Sequence, residues 1–126
     1  MSNVEVTPNY LTVDTSTPEP AGQAVGTGDT AVLTPDEHKP FKGRYLLIRM
    51  KESGSVATST ATVKAGDRAS QHVRGDRTAE TFTSGQVKYV QVDLNRYLQA
   101  DGSVHIDVGG VSGSVTFTVI QLSNRT

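Results

Sequence analysis

The chain has 126 residues, a formal net charge of −1 and no cysteine. This length fits one domain, the lack of cysteine excludes disulfides and thiolate metal sites, and the balanced charge argues against nucleic-acid binding. The first residues do not resemble a signal peptide, and no apolar run approaches the roughly 18 residues that cross a bilayer. We therefore expect a protein made in the cytoplasm, with neither a nucleic acid nor a membrane as partner.

The first 28 residues predict an extended N-terminal arm. Residues 3–14 alternate like a strand that Pro8 interrupts, and residues 15–28 are rich in Thr, Pro and Gly, which is typical of a linker. The charged residues up to position 37 are all acidic, and every Lys and Arg follows later. The predicted organisation is an arm over residues 1–28, which needs a surface to dock on, and a β-domain over residues 29–126.

The rest of the chain carries the signals of an all-β domain. Short runs rich in Val and Thr alternate with turn signals, which is typical of a sandwich or barrel. The first two runs after the polar stretch, 44–51 and 56–64, predict a β-hairpin. An antiparallel, jelly-roll-like β-sandwich is the first expectation, and a small closed barrel is the second. About eight strands are predicted, over residues 3–14, 29–34, 44–51, 56–64, 78–83, 86–93, 103–108 and 114–122.

Alternation also predicts which side chains face the core. In residues 86–93 these are Val87, Tyr89 and Val92, with a change of phase near Val90. Residues 94–98 predict a single helical turn. In the last two strands the predicted core residues are Val104, Ile106, Val108, Val115, Phe117 and Val119.

No motif in the chain predicts catalysis or metal binding. The three histidines share no spacing typical of metal ligands. Ser103, His105 and Asp107 lie on one face of a predicted strand, yet nothing signals the strained nucleophile turn or the oxyanion hole that a catalytic triad needs. Asp67 and Asp101 lie in predicted turns, where Asp favours local hydrogen bonds. We expect no enzymatic activity, no metal and no cofactor.

Three arginines cluster in the predicted loop over residues 67–77, namely Arg68, Arg74 and Arg77. They are either solvated or contact a partner or a neighbouring subunit, for which the acidic arm is a candidate. The tripeptide Arg74-Gly75-Asp76 matches an integrin-binding sequence, but three residues are too few to predict a function.

Three segments give the chain a resemblance to a known group of proteins: Gly43-Arg44 before a buried strand, the TVKAGD turn at residues 62–67, and LNRYLQADGSVHID at residues 94–107. Over residues 29–122 the chain resembles small virion proteins of tailed bacteriophages, particularly those that decorate the capsid. The resemblance implies a homotrimer on the capsid exterior that binds the major capsid protein and stabilises the head against internal DNA pressure.

The same resemblance implies that the arm adds to the capsid surface. An extended segment can add a strand to an exposed sheet edge, and three arms on one trimer would bind by avidity. The apolar anchors of such an arm would be Val4, Val6, Tyr10 and Leu11.

Two other functions stay open. The chain could be a phage tail or baseplate adhesin that binds sugar, with Tyr89 and Tyr97 as its candidate exposed aromatics. A small hydrolase would instead need polar residues that converge in a deep pocket.

Overall fold

The structure, a computed structural model, describes residues 2–10, 16, 18–34, 45–54, 59–67, 73–110 and 113–122. These residues include ten β-strands and the helical turn α1 (Leu94–Tyr97). The strands are β1 (Asn3–Val6), β2 (Asn9–Tyr10), β3 (Gln23–Gly26), β4 (Thr30–Leu33), β5 (Tyr45–Glu52), β6 (Ser59–Val63), β7 (Glu80–Phe82), β8 (Val87–Asp93), β9 (Val104–Gly110) and β10 (Ser114–Leu122).

The strands form two sheets that pack face to face as a β-sandwich. The first sheet has the order β1-β4-β9-β6-β7, and the second has the order β2-β10-β5-β8, with β3 also paired to β10. The predicted all-β sandwich is thereby confirmed, and its jelly-roll connectivity stays a prediction. Most pairs are antiparallel, but β1 runs parallel to β4 and β2 runs parallel to β10.

The described part of the predicted arm belongs to both sheets. Strand β1 pairs with β4, and β2 and β3 both pair with β10. Val6 and Val25 are buried in the common core. These residues of the predicted arm thus dock on the β-domain of the same chain. The physical reason is that the edges of β4 and β10 offer main-chain hydrogen bonds, while the core offers burial to two valines.

The predicted hairpin between residues 44–51 and 56–64 is also wrong. Strand β5 lies between β10 and β8, whereas β6 lies between β9 and β7 in the other sheet. Alternation in the sequence determines which side chains of a strand face inward, but it does not determine the neighbouring strand. Of the residues 53–58 that join β5 to β6, 55–58 lie outside the described part of the chain.

The core lies between the sheets, and the predicted inward faces of β9 and β10 are confirmed. In strand β8 Val92 faces inward as predicted and Val90 does too, whereas Val87 and Tyr89, which were predicted to face the core, face outward. Lys88 shares the inward phase. Its Nζ lies 5.5 Å from the centre of the Phe82 ring and donates to the Thr81 carbonyl, so its aliphatic stem covers the rim of the core.

The helical turn α1 directly follows β8, as predicted. Leu94 and Tyr97 pack into the core, and the Leu98 amide donates to the Leu94 carbonyl. Tyr97 is only 5% exposed, which removes it from the candidate surface aromatics.

Candidate functional site

The outer face of the second sheet carries most of the exposed apolar surface. Among the described residues, four large hydrophobic side chains are exposed, and Tyr45, Val87 and Tyr89 are three of them. All three lie on β5 or β8 and point away from the core. Tyr89, at 65%, is the most exposed of the three, and the strand register places Tyr45 and Val87 at opposite ends of the β5–β8 pair.

A groove of about 220 Å³ crosses this face, and we call it the Tyr89 groove. Five of its lining residues come from the outer faces of β5, β8 and β10, and the remainder come from residues 18–20, which precede β3. The sheet residues are Leu47, Arg49, Tyr89, Thr118 and Ile120.

The strand register explains why these side chains meet. Arg49 of β5 is paired with Tyr89 of β8 on one side and with Thr118 of β10 on the other. Directly opposed residues of antiparallel strands project from the same face of the sheet. The three polar or amphipathic side chains therefore form one row across the groove.

One pair of opposite charges lies in the groove. The distance between Nη1 of Arg49 and Oε1 of Glu19 is 3.8 Å, and the Glu19 side chain is 70% exposed. This distance exceeds hydrogen-bond length, and exposed pairs of this kind add little stability. Both groups therefore keep hydrogen-bonding capacity for a ligand.

The predicted arm anchors have different environments. Val6 is 2% exposed in the core, and Val4 is partly buried against it. The backbone of Tyr10 pairs with Gln121 of β10, while Leu11 lies outside the described residues. Val4 and Val6 are thus used within their own domain in this conformation.

Of the three predicted contact arginines, Arg74 and Arg77 lie in the described part of the chain. Arg68 lies outside the described residues, and the side chain of Arg77 pairs with Glu80. Arg74 is exposed, and its carbonyl accepts a 3.1 Å bond from Nη2 of Arg96. Sequence reasoning missed Arg96, because nothing in the pattern around α1 links it to a loop twenty residues earlier.

The carboxylate of the Arg74-Gly75-Asp76 tripeptide is engaged within the chain. Asp76 accepts a 2.7 Å bond from Nζ of Lys64 and another from the Ala65 amide. The hydrogen bond from the Lys64 ammonium to Asp76 raises the pKa of Lys64 above its ordinary value. Asp76 therefore contributes to the loop that follows β6, and the tripeptide does not present a free carboxylate.

Ser103 and His105 do touch, but not as a catalytic pair. The Ser103 hydroxyl donates a 2.6 Å bond to Asp101, and its oxygen lies 3.0 Å from Nε2 of His105. Asp107 instead accepts a bond from the Thr30 hydroxyl. Because Ser103 is buried and its proton points to Asp101, the group closes a turn and does not activate a nucleophile. The same hydrogen bond lowers the pKa of Asp101.

Within the described residues, no three His, Asp or Glu side chains are grouped to hold a metal ion. The part of the chain that the structure describes also contains no helix long and apolar enough to cross a membrane. No protein-family model, no curated protein and no solved structure matches this chain.

Proposed function

We propose that the protein is a virion structural protein that decorates the exterior of a bacteriophage capsid. It binds the major capsid protein as a homotrimer and has no enzymatic role. The proposal is supported by the resemblance of residues 29–122 to decoration proteins and by the small all-β sandwich. It includes the jelly-roll connectivity, which is common in virion proteins.

The arrangement of the N-terminal strands is the observation that carries this proposal. Strand β1 is the outermost strand of its sheet and pairs over four residues, and β2 pairs with β10 over only two. Main-chain bonds at a sheet edge do not depend on which chain supplies the strand. A strand that leaves its own domain and pairs with a neighbour regains the same bonds, so such an exchange has a small net free energy.

In this proposal the N-terminal strands occupy their own domain before assembly and pair with a neighbouring subunit or the capsid on the shell. Val6 is the anchor that must move, because it is buried while Val4 is only partly so. Three exchanged arms in one trimer would bind the shell by avidity.

A reversible disulfide tests the exchange cleanly, because the chain has no native cysteine. Glu5 of β1 is the register partner of Val32 of β4, so Glu5→Cys with Val32→Cys locks β1 to its own domain. We expect the oxidised protein to co-sediment about tenfold more weakly with capsids made from the major capsid protein of the same genome, and reductant to restore binding.

The matched control is a second cysteine pair, Lys51→Cys with Val87→Cys, which locks β5 to its register partner β8. This lock should leave co-sedimentation unchanged. Equal binding of the β1-locked protein in both redox states would refute the exchange. A wild-type protein that does not sediment with the capsids would refute the decoration function itself.

The tail or baseplate adhesin remains the second candidate, and one observation favours it. Tyr89 is exposed in a groove, as a sugar-binding aromatic must be, whereas Tyr97 is buried. Labelling of purified virions separates the two candidates, since an adhesin would be found on tails and a decoration protein on heads.

A further inference from the structure

We infer that the Tyr89 groove binds one pyranose ring of a neutral saccharide. The ring of Tyr89 packs against the C–H face of the sugar, while Arg49 and Glu19 bind its hydroxyls. The inference concerns a surface of the isolated protein, so it does not depend on whether the protein decorates a capsid.

The aromatic side of the site is already formed. The Tyr89 side chain is 65% exposed on the outer face of β8, an unusual exposure for a ring that buries much apolar area when covered. Leu47 and Ile120 add half-buried apolar surface to the same groove. A pyranose ring offers an apolar C–H face, so stacking removes water from both surfaces.

The polar side of the site matches hydroxyl groups. A guanidinium only donates hydrogen bonds and a carboxylate only accepts them, whereas a hydroxyl does both. Because Arg49 and Glu19 stand 3.8 Å apart and do not bond to each other directly, adjacent sugar hydroxyls can bridge them. The net charge of the Arg49–Glu19 pair is zero, and the Glu19 carboxylate would repel an acidic sugar. Both points indicate a neutral sugar as the ligand.

The volume of the groove and its aromatic content favour a sugar over a proline-rich peptide as the ligand. Grooves that recognise polyproline helices are lined by several aromatic rings, but among the described residues that line this groove Tyr89 is the one aromatic. The volume of about 220 Å³ accommodates a single sugar ring and is short for an extended peptide.

Saturation-transfer NMR on the full chain tests the site. The probes are methyl α-D-glucopyranoside, methyl α-D-mannopyranoside and methyl β-D-galactopyranoside, each at millimolar concentration. We expect transfer to the ring C–H protons of at least one sugar, and an affinity about tenfold lower in Tyr89→Ala, the effect of losing one aromatic contact. Tyr45→Ala is the matched control, because Tyr45 is exposed on the same face but does not line the groove.

A charge variant tests the role of Glu19. Glu19→Gln keeps the size of the side chain but removes its charge, so we expect it to gain binding of methyl glucuronide, which the wild-type protein should reject. Circular dichroism checks that each variant is folded.

Three results would overturn the inference. These are no saturation transfer to any of the three sugars, equal transfer in the wild-type and Tyr89→Ala proteins, or Tyr89-dependent binding of a Pro-Glu-Pro peptide without any sugar binding. None of these results bears on capsid co-sedimentation, which is measured on particles without sugar.

Discussion

Glu52 and Gly85 lie 33 residues apart in the chain, and the Gly85 amide donates a 3.0 Å hydrogen bond to Oε1 of Glu52. The same oxygen accepts a bond from the Gly54 amide, and the Glu52 amide donates to the Gln86 carbonyl. The Glu52 side chain is fully buried at the end of β5. One carboxylate thus fastens the end of β5 to the turn that precedes β8.

Replacing this carboxylate should lower stability in two steps. Glu52→Gln replaces one acceptor oxygen with a donating NH₂ group beside the backbone amides, so it should cost about 1–2 kcal/mol of unfolding free energy. Glu52→Ala removes the acceptor altogether and should cost about 3 kcal/mol. Urea unfolding measures both values. Glu5→Gln, which changes an exposed carboxylate on β1, should stay within about 0.5 kcal/mol. Equal stability of Glu52→Ala and wild type would show that the carboxylate is not a structural link.

Strand β3 should behave as part of the core and not as a linker. Val25 is fully buried, so Val25→Ala should lower the free energy of unfolding by about 2 kcal/mol. Ala24→Ser changes the neighbouring exposed position of the same strand and should have an effect within about 0.5 kcal/mol. Denaturant unfolding with one probe in each sheet measures both variants. If Val25→Ala unfolds like wild type, the segment is a linker after all.

Gly22 should not tolerate a side chain, because the backbone lies against β10 there. A Cβ atom at this position would come within 2.5 Å of Cγ2 of Thr116 and 2.8 Å of Oγ1 of Thr118. Gly22→Ala should therefore cost about 1–3 kcal/mol, measured as a shift of the urea midpoint. Gly26→Ala is the matched control, since its Cβ would meet only Asp29 at an ordinary 3.6 Å. Similar midpoints for the two variants would contradict the close approach.

The ion pair between Glu80 and Arg77 should make the free energy of unfolding depend on pH in the acid range. The hydrogen bond from Arg77 is the main cause that lowers the pKa of Glu80 from its ordinary 4.5, with a smaller contribution from Lys88. In this pH range the unfolded chain therefore binds more protons than the folded chain. The stabilisation by the pair is fully present above about pH 4.5, and it is lost as the pH falls through the lowered pKa of Glu80 in the folded state.

Urea unfolding at a series of pH values measures this effect. The stability difference between wild type and Glu80→Gln should be constant above about pH 5 and shrink below pH 4.5. Arg77→Gln keeps the carboxylate but removes its main partner, so it should lose most of the same pH dependence. A difference that is independent of pH would mean that the pair does not stabilise the fold.

The sequence predicted inward faces well where a strand alternates without interruption. Ile106 and Phe117 lie in the core as expected, because apolar and polar residues alternate strictly around them. In β8 the pattern was ambiguous, since Val87 and Tyr89 form as good an apolar face as Val90 and Val92. In the fold Lys88 takes the same phase as Val90 and Val92, with its Nζ 5.5 Å from the centre of the Phe82 ring, and no local pattern predicts that contact.

Which strands pair and which residues form the groove were harder to predict than which side chains face the core. Strand β3 was hidden in a stretch rich in Pro and Gly, because its one buried side chain, Val25, gives no periodic signal. Tyr89 was named as a candidate sugar-binding aromatic, but its partners in the groove were not. Arg49 and Glu19 are thirty residues apart and meet only because residues 18–20 lie over β5. Such a meeting depends on chain topology, which alternation does not encode.

The place of β10 in the second sheet has a consequence for synthesis on the ribosome. This strand pairs with β2, β3 and β5, and among the described strand pairs only β6 and β7 are consecutive in the chain. Pairings between distant segments form slowly, because a long loop must close before they give any stabilisation. Strand β5 can pair with β8 earlier, but nearly the whole chain must emerge before the second sheet is complete, and until then the apolar face of β5 lacks part of its packing.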